Sequence, residues 1–410
     1  MSPRVSTLFF DMNSFYASVA QAEEPALMGR PVGVLTTDAR NAACIAASHD
    51  AKKCGVGMGT RQDEARRLCP DIVFRPVKHD VCVRYHHAIL EAVETVLPVH
   101  RVWSIDECSC LLTGSQQDLE RAMQIGRDLQ DAVLRLVHPA LRCSVGLAPT
   151  RLLAKVAAGL IKPAGLNSIL PSDLPGKITH LDLDGLPGIS SRMKARLVAA
   201  GVPDVTALHA LAPKRARAIW GSVAGERFLR ELRGESVVWP TTTRGMIGHG
   251  QVLTAGNKTP EGARLVARRL LVKAAARLRR EGFFARSLQV GGKCAVSGRV
   301  SHGGEIRATQ DTLFLLETLD RYWRLLPLRR PLAVHVTLGG LLPEADHTPD
   351  LFEADRPTAR QDRLFGAIDA LNQRFGQDTI RIGQLPPHRV AYTGAKIAFG
   401  RIPVAEDFRE

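Results

Sequence analysis

The chain has 410 residues, 45% of them hydrophobic and 23% charged, with a net charge of +14 and a pI near 9.8. That composition excludes a disordered or collagen-like chain, and no apolar run reaches the roughly 18 residues of a bilayer span. The start of the chain carries Arg4 and a short apolar patch but no signal-peptide core, so a cytoplasmic protein of two to four domains is expected, with no membrane and a polyanionic partner.

In chain order, the apolar run Leu8-Phe9-Phe10 predicts a buried strand ending at Asp11. Residues 14–23 read as a helix, broken by Pro25 and Gly29-Arg30-Pro31 before a short strand over 32–35. Small residues dominate 39–48. Helical patterns recur over 61–69 and 81–97, and the second leads into Val102-Trp103-Ser104-Ile105, a predicted buried strand that delivers Asp106 and Glu107 to a sheet edge. A helix over 118–137 and a strand over 142–147 follow, and the alternation reads as an α+β catalytic domain. The eight cysteines include no Cys-x-x-Cys pair. Cys108-Ser109-Cys110 has strand alternation rather than zinc spacing, so reduced thiols are expected.

The texture changes near Pro171. Leu186-Pro187-Gly188-Ile189, a helix over 191–200 and then Gly201-Val202 read as a helix-hairpin-helix whose turn offers backbone N–H groups to a DNA phosphate. Ser190 stands where a second glycine is usual, and an ordinary helical hairpin is the alternative. Trp239-Pro240-Thr241-Thr242-Thr243 is the best linker.

Beyond it come a strand (248–253), a helix (260–281), two strands (286–297 and 300–309), a helix (311–326) and a strand (332–339), the order of a split βαβ unit. The first helix carries Arg264, Arg268, Arg269, Lys273, Arg277, Arg279 and Arg280, read as a charged side free to meet a polyanion, with a merely solvated face as the alternative. Net charge is +10 over 241–345 and +4 over 175–236, which concentrates the basic character where a phosphate track is expected. From about 343 the pattern loosens around one helix (360–375).

Asp11, Asp106 and Glu107 bring three carboxylates from two strand-like segments. Hard oxygen donors of this kind, together with substrate phosphates, suit two magnesium ions clamping an in-line phosphoryl displacement. Taken singly, Asp11 as a helix cap and Asp106-Glu107 as a solvated turn are the plain alternatives.

Asp11 with Phe15-Tyr16, Ser104-Ile105-Asp106-Glu107, Ser144-Val145-Gly146-Leu147 and Ala154-Lys155 through Lys162-Pro163 resemble the Y-family translesion DNA polymerases of the DinB and UmuC type, in order and spacing over roughly residues 5–340. The resemblance implies an α+β right-hand polymerase: palm 1–21 and 82–170, fingers 22–81, thumb 171–236 with the helix-hairpin-helix, a split-βαβ little finger 243–342, and a C-terminal extension 343–410.

It further implies that Asp11 and Asp106 bridge both Mg²⁺ ions, that Glu107 serves the ion at the primer 3′-hydroxyl, and that the Met12 carbonyl completes the nucleotide-side ion. Backbone N–H groups of Ser14, Phe15 and Tyr16 would hold the triphosphate at a helix N-terminus. Tyr16 would be the steric gate against ribonucleotides, with a core aromatic as its alternative. Lys162 would meet the triphosphate. His49 and Lys52 stand where DinB-like members have tyrosine and arginine, so Lys52 keeps the charge without the bidentate fork. Short side chains at Ala42-Ala43-Cys44 and Ala46-Ala47 would roof the nascent base pair loosely enough to tolerate damage.

DNA contacts are expected at Gly188, Ser190, Arg264, Arg268, Lys273 and Arg277. The tail looks UmuC-like over 369–379, and Leu351-Phe352 keeps the end of a sliding-clamp peptide, with a hydrophobic anchor as the alternative. The reading is a monomeric, Mg²⁺-dependent, low-fidelity DNA polymerase of damage tolerance and the SOS response, taking dNTPs and primer-template DNA. Two rivals are a non-catalytic DNA- and clamp-binding adaptor of a mutagenesis complex, which would have lost the acids, and a nucleotidyl cyclase, which has no use for a DNA track.

Overall fold

The computed structural model describes residues 4–36, 42–240, 243–348, 358–376, 379–384 and 402. Leu351 and Phe352 lie outside the described residues. Among those described, no helix is long and apolar enough to cross a membrane. The chain separates into two compact units whose boundary falls between Trp239 and Pro240, inside the expected linker.

The first unit contains β1 (Thr7–Met12), α1 (Phe15–Glu23), β2 (Val32–Leu35), β3 (Cys44–Ala47), α2 (His49–Lys53), α3 (Gln62–Leu68), β4 (Val73–Pro76), α4 (His79–Glu94), β5 (Arg101–Ser104), β6 (Glu107–Leu111), α5 (Leu119–Leu136), β7 (Cys143–Ala148), α6 (Arg151–Leu160), β8 (Leu166–Ser168), α7 (Ser191–Ala199), α8 (Val205–Ala210), α9 (Pro213–Trp220) and α10 (Val223–Leu232). Its main sheet has the order β5-β6-β1-β7-β8, with β1 antiparallel to both neighbours and β8 parallel to β7. β1 is apolar at successive positions because the sheet is covered on both faces. Phe9 packs with Leu152, Leu153 and Val156 of α6, and Leu8 and Phe10 are just as fully buried.

At Gly146 the sheet and α6 meet backbone to backbone. A Cβ there would lie 2.0 Å from the Ala154 carbonyl oxygen and 2.3 Å from the Ala158 nitrogen, so only glycine fits.

One strand differs from expectation. β5 is the sheet's edge, with Arg101 and Val102 exposed, and Trp103 is only partly buried, packing on the apolar core beneath it while the guanidiniums of Arg101 and Arg151 cover it at 4.3 and 4.5 Å. Asp106 therefore sits in the turn of the β5–β6 hairpin and Glu107 starts β6, instead of both ending a buried strand. A second, small sheet of order β3-β2-β4 is covered by α2 and α3. The expected hairpin before α7 is also shorter than two helices. Its first arm is a single 3-10 turn, Leu183–Gly185, while Gly188 takes a φ of +95° and Ser190 caps α7 through the Met193 N–H. At φ −81° Ser190 needs no glycine freedom.

The second unit follows the expected β-α-β-β-α-β order: β9 (Met246–Val252), α11 (Pro260–Arg280), β10 (Phe283–Cys294), β11 (Gly298–Thr309), α12 (Thr312–Trp323) and β12 (Pro331–Gly339), then β13 (Leu342–Pro343) and α13 (Thr358–Phe375). The sheet order β11-β10-β12-β9 places β12 between β9 and β10, which is what splits the βαβ unit. Ala267, Leu271, Ala274 and Leu278 of α11 and Leu315 and Leu319 of α12 pack on Leu288, Val290, Val334 and Val336 of the sheet. α13 is held by Phe365, which is buried under the Arg279 guanidinium.

Candidate active site

Asp11 and Glu107 are direct register partners across the β1–β6 pair, and the Asp106 carbonyl accepts the Met12 N–H at 2.9 Å. Strand pairing thus fixes all three acids on one rim of the sheet. Each acid also has its own cationic or polar partner. The Lys155 ammonium lies 2.6 and 2.8 Å from the two Glu107 carboxylate oxygens, Lys162 donates to Asp11 at 2.6 Å, and the Ser104 hydroxyl donates to Asp106 at 2.5 Å. For that reason the trio is not a ready-made cage. Among the described residues no three His, Cys, Asp or Glu side chains are already gathered as metal ligands.

The electrostatics nevertheless suit a hard cation. Burial pushes the Asp11 carboxyl up, Lys162 opposes it and Glu107 adds to it. Burial likewise raises Asp106, against the Ser104 hydrogen bond and with the charges of Glu107 and Asp11. Three oxygen donors that repel one another in a water-poor pocket are the donor set a divalent ion relieves.

Opposite the acids lies the start of α1. Ser14 adopts a left-handed φ of +53°, its carbonyl accepts the N–H groups of Ala17 and Ser18, and its hydroxyl accepts from Lys52 at 2.8 Å. The Lys52 ammonium is depressed by loss of water around its tip and by the nearby Lys162. Lys52 and Lys162 therefore converge from α2 and from the loop after α6. His49, at the start of α2, is exposed. Phe15 is buried and meets Tyr16 edge to face at 5.6 Å. Tyr16 is half-buried against the cluster of Ala17, Leu27, Val32 and Val34, and burial raises its hydroxyl, with the Cys82 and Asp106 charges adding to the shift. Of the small residues expected to form a roof, Cys44 and Ala47 point into the core, while Ala42, Ala43 and Ala46 stay at least partly exposed.

Several site residues escaped the sequence reading. Asn13 donates to Ser144 at 3.0 Å and accepts from the Ala164 N–H at 2.7 Å, which anchors the Lys162 loop. Lys155 belongs to the Ala154-Lys155 motif, yet nothing local in the sequence shows that it reaches Glu107.

The α11 arginines are not a free face. Arg264 pairs with Glu261 and with Asp320 of α12 at 2.7 Å, Arg268 also pairs with Asp320, and Arg277 pairs with Glu281 at 2.8 Å. Arg279 reaches Asp369 of α13 at 2.7 Å. Lys273 is exposed. Asp320 and Asp369 come from neighbouring helices and Glu261 and Glu281 from the two ends of α11 itself, so charge that looks outward in sequence is spent on packing. On the sheet face opposite α11 and α12, Lys293 and Arg299, register partners, are both exposed among the described residues, beside small residues such as Gly291, Ser301 and Gly303.

Residues 10–159 match the impB/mucB/samB family model. DNA polymerase IV of Moorella thermoacetica is 33% identical, over 98% of this chain and 99% of its own length. DNA polymerase IV of Pelotomaculum thermopropionicum is 31% identical, over 92% and 94%. A Y-family DNA polymerase chimera of Dbh and Dpo4 has the same fold at a TM-score of 0.68 and 20% identity, covering 82% of this chain and 99% of that one. An insertion ternary complex of Dbh DNA polymerase superposes at 0.56, with the same identity and coverage.

Proposed function

The chain belongs to the Y-family DNA polymerases of the DinB type, matching a relative end to end at 33% identity, and from that premise we propose how its own residues carry out the reaction. It is a template-directed DNA polymerase of the translesion type, acting on DNA and dNTPs with divalent metal. The observation that carries the assignment of residues is the register pairing of Asp11 with Glu107, beside Asp106 and facing Lys52 and Lys162.

Asp11, Asp106, Glu107 and the Met12 carbonyl would hold two Mg²⁺ ions. Bound there, the ions supply Lewis-acid stabilisation of the charge that develops on the attacking and leaving oxygens. The remaining work belongs to side chains and backbone. Lys162 exchanges Asp11 for the incoming triphosphate, and Lys52 carries charge to the same phosphates from α2. The N–H groups of Ser14, Phe15 and Tyr16 give the phosphates the positive end of α1. Tyr16, wedged against the small sheet, excludes a 2′-hydroxyl by bulk. His49, exposed at the head of α2, flanks the phosphate path.

We assign residues 1–21 and 82–170 as palm, 22–81 as fingers, 171–236 as thumb and 243–342 as little finger. The Gly188–Ser190 turn, with the α7 N-terminus behind it, meets a DNA phosphate. In the little finger the DNA track is the sheet face that carries Lys293 and Arg299, and the paired α11 arginines are structural. A cytoplasmic monomer that meets the sliding clamp through Leu351-Phe352 completes the reading. A non-catalytic adaptor is not favoured, since all three acids are kept and each is braced.

Primer extension with dNTPs and Mg²⁺ tests the assignment. Extension by the wild type that vanishes in Asp106→Ala, Glu107→Ala supports it. Undiminished extension by the double variant removes those acids from the chemistry.

A further inference from the structure

β5 and β6 pair Arg101 with Ser109 and Val102 with Cys108, but Ser104 with Glu107, so the register skips Trp103. A bulge of this kind bends its strand and re-aims the side chains around it, which is why bulges gather beside active sites. Here the next side chain is Ser104, whose hydroxyl donates to Asp106 at 2.5 Å. Because the ladder does not fix Trp103, its side-chain contacts do. The indole N–H donates to the buried Ser109 hydroxyl at 2.9 Å, and the guanidiniums of Arg101 and Arg151 lie 4.3 and 4.5 Å from the ring.

Arg151 is itself held from α10. It opens α6, where the Thr150 hydroxyl caps the helix by accepting the Leu153 N–H and donates to the Glu231 backbone carbonyl at 2.9 Å. The Glu231 carboxylate, on a residue 5% exposed, lies 4.0 Å from the Arg151 guanidinium. Burial raises that carboxyl and Arg151 opposes the shift. The polymerase chemistry does not use this acid directly, and a buried charge is kept only where a partner compensates it.

We propose that Glu231, Arg151 and Trp103 form a brace through which α10 positions Asp106, making Arg151 and Glu231 positioning residues for the reaction. Glu231 orients the guanidinium, the planar guanidinium holds the indole, the indole fixes the bulge, and the bulge aims Ser104 at Asp106. The brace stands on rigid elements, since α6 and α10 share one apolar core in which Leu152, Val156, Leu229 and Leu232 are buried. It rests on the reading of Asp106 as a metal-holding carboxylate. An ion pair that merely fastened α10 to α6 would change stability and leave catalysis alone.

The experiment compares the full-length wild type with Arg151→Ala, Arg151→Lys, Glu231→Gln and Ser104→Ala in single-nucleotide incorporation and thermal unfolding. A Mn²⁺ titration, followed by the EPR signal of the free ion, is run beside them with dNTP and a dideoxy-terminated primer-template. Arg151→Ala should lower kcat and weaken Mn²⁺ binding, each on the order of tenfold, as loss of a group that orients a metal ligand does. KM for dNTP and affinity for DNA should hold. Glu231→Gln should show the same pattern to a smaller degree. Arg151→Lys should keep the melting temperature through its charge beside Glu231 and still lose kcat, because an ammonium lacks the flat face that stacks on the indole. Ser104→Ala combined with Arg151→Ala should be no slower than Ser104→Ala alone, since both act through one contact.

Wild-type kcat in Arg151→Ala, losses that multiply in the combined variant, or a loss confined to KM or DNA affinity each overturn the brace. Wild-type kcat in Glu231→Gln removes α10 from it. An inactive wild type overturns the polymerase reading instead, and the Mn²⁺ titration then still decides whether Arg151 and Glu231 place Asp106.

Discussion

The side-chain carbonyl of Asn13 accepts the backbone N–H of Ala164 at 2.7 Å, so the end of β1 and the loop bearing Lys162 move as one piece. Ala164 has a left-handed φ of +58°, a conformation that needs outside support. Asn13→Ala strips a buried partner from Ala164 and from Ser144, and should cost about 1–3 kcal/mol of stability. Thermal unfolding reads that loss, and single-nucleotide incorporation should show KM rising as Lys162 loses its place. An unchanged melt together with an unchanged KM would remove Asn13 from the site.

Tyr16 meets the small sheet through its ring. Tyr16→Ala should relax the preference for dNTP over rNTP on the order of a hundredfold, while Tyr16→Phe keeps the preference because bulk rather than the hydroxyl excludes the ribose. Steady-state incorporation of matched dNTP and rNTP separates the two variants. Equal loss in both would assign selection to the hydroxyl.

Arg268 and Arg264 converge on Asp320, joining α11 to α12. Arg268→Gln should lower stability by about 1–2 kcal/mol with little effect on the salt dependence of DNA binding. Lys293→Gln and Arg299→Gln should do the reverse. Each is expected to reduce the slope of log affinity against log salt by about 1 and to leave the melting temperature in place. Fluorescence anisotropy over a salt series checks both halves of the contrast.

His86 on α4 is 3% exposed, its Nδ1 lies 2.7 Å from the Ile105 carbonyl, and burial lowers its pKa to about 4. A neutral ring with Nδ1–H donating to Ile105 fits that environment. Because the folded value lies below the ordinary 6.5, the unfolded chain binds the extra proton first as pH falls. The stability His86 contributes is therefore complete above about pH 6.5 and declines toward pH 4, by about 3 kcal/mol in all. His86→Gln should flatten the melting-temperature profile across that window. A wild-type profile that is already flat there would contradict a neutral His86.

The elements of the second unit were legible to within a few residues, because strand alternation gives way to helical periodicity between clear Gly and Pro breaks. The three carboxylates were legible as well, since each adjoins an apolar run. What escaped was whatever depends on distant chain. Trp103 reads as fully core, yet only part of it packs there, and Arg151 of α6 with Arg101 covers the rest. The α11 arginines read as a free stripe because Asp320 and Asp369 lie 52 and 90 residues further along than Arg268 and Arg279. Lys155 falls in the same class, since its partner is set by how closely α6 lies on the sheet.

That closeness is governed by Gly146, a residue with no functional group. α6 lies as near to β7 as it does only because nothing projects from Gly146, and the reach of Lys155 to Glu107 inherits that spacing. A single methyl at this position would lift the helix and lengthen the lysine's span, retuning the charge balance at the acids while leaving every acid and every lysine in place. Divergence in catalytic character among such chains can therefore arise from backbone spacing, at a position that inspection of reactive groups alone would pass over.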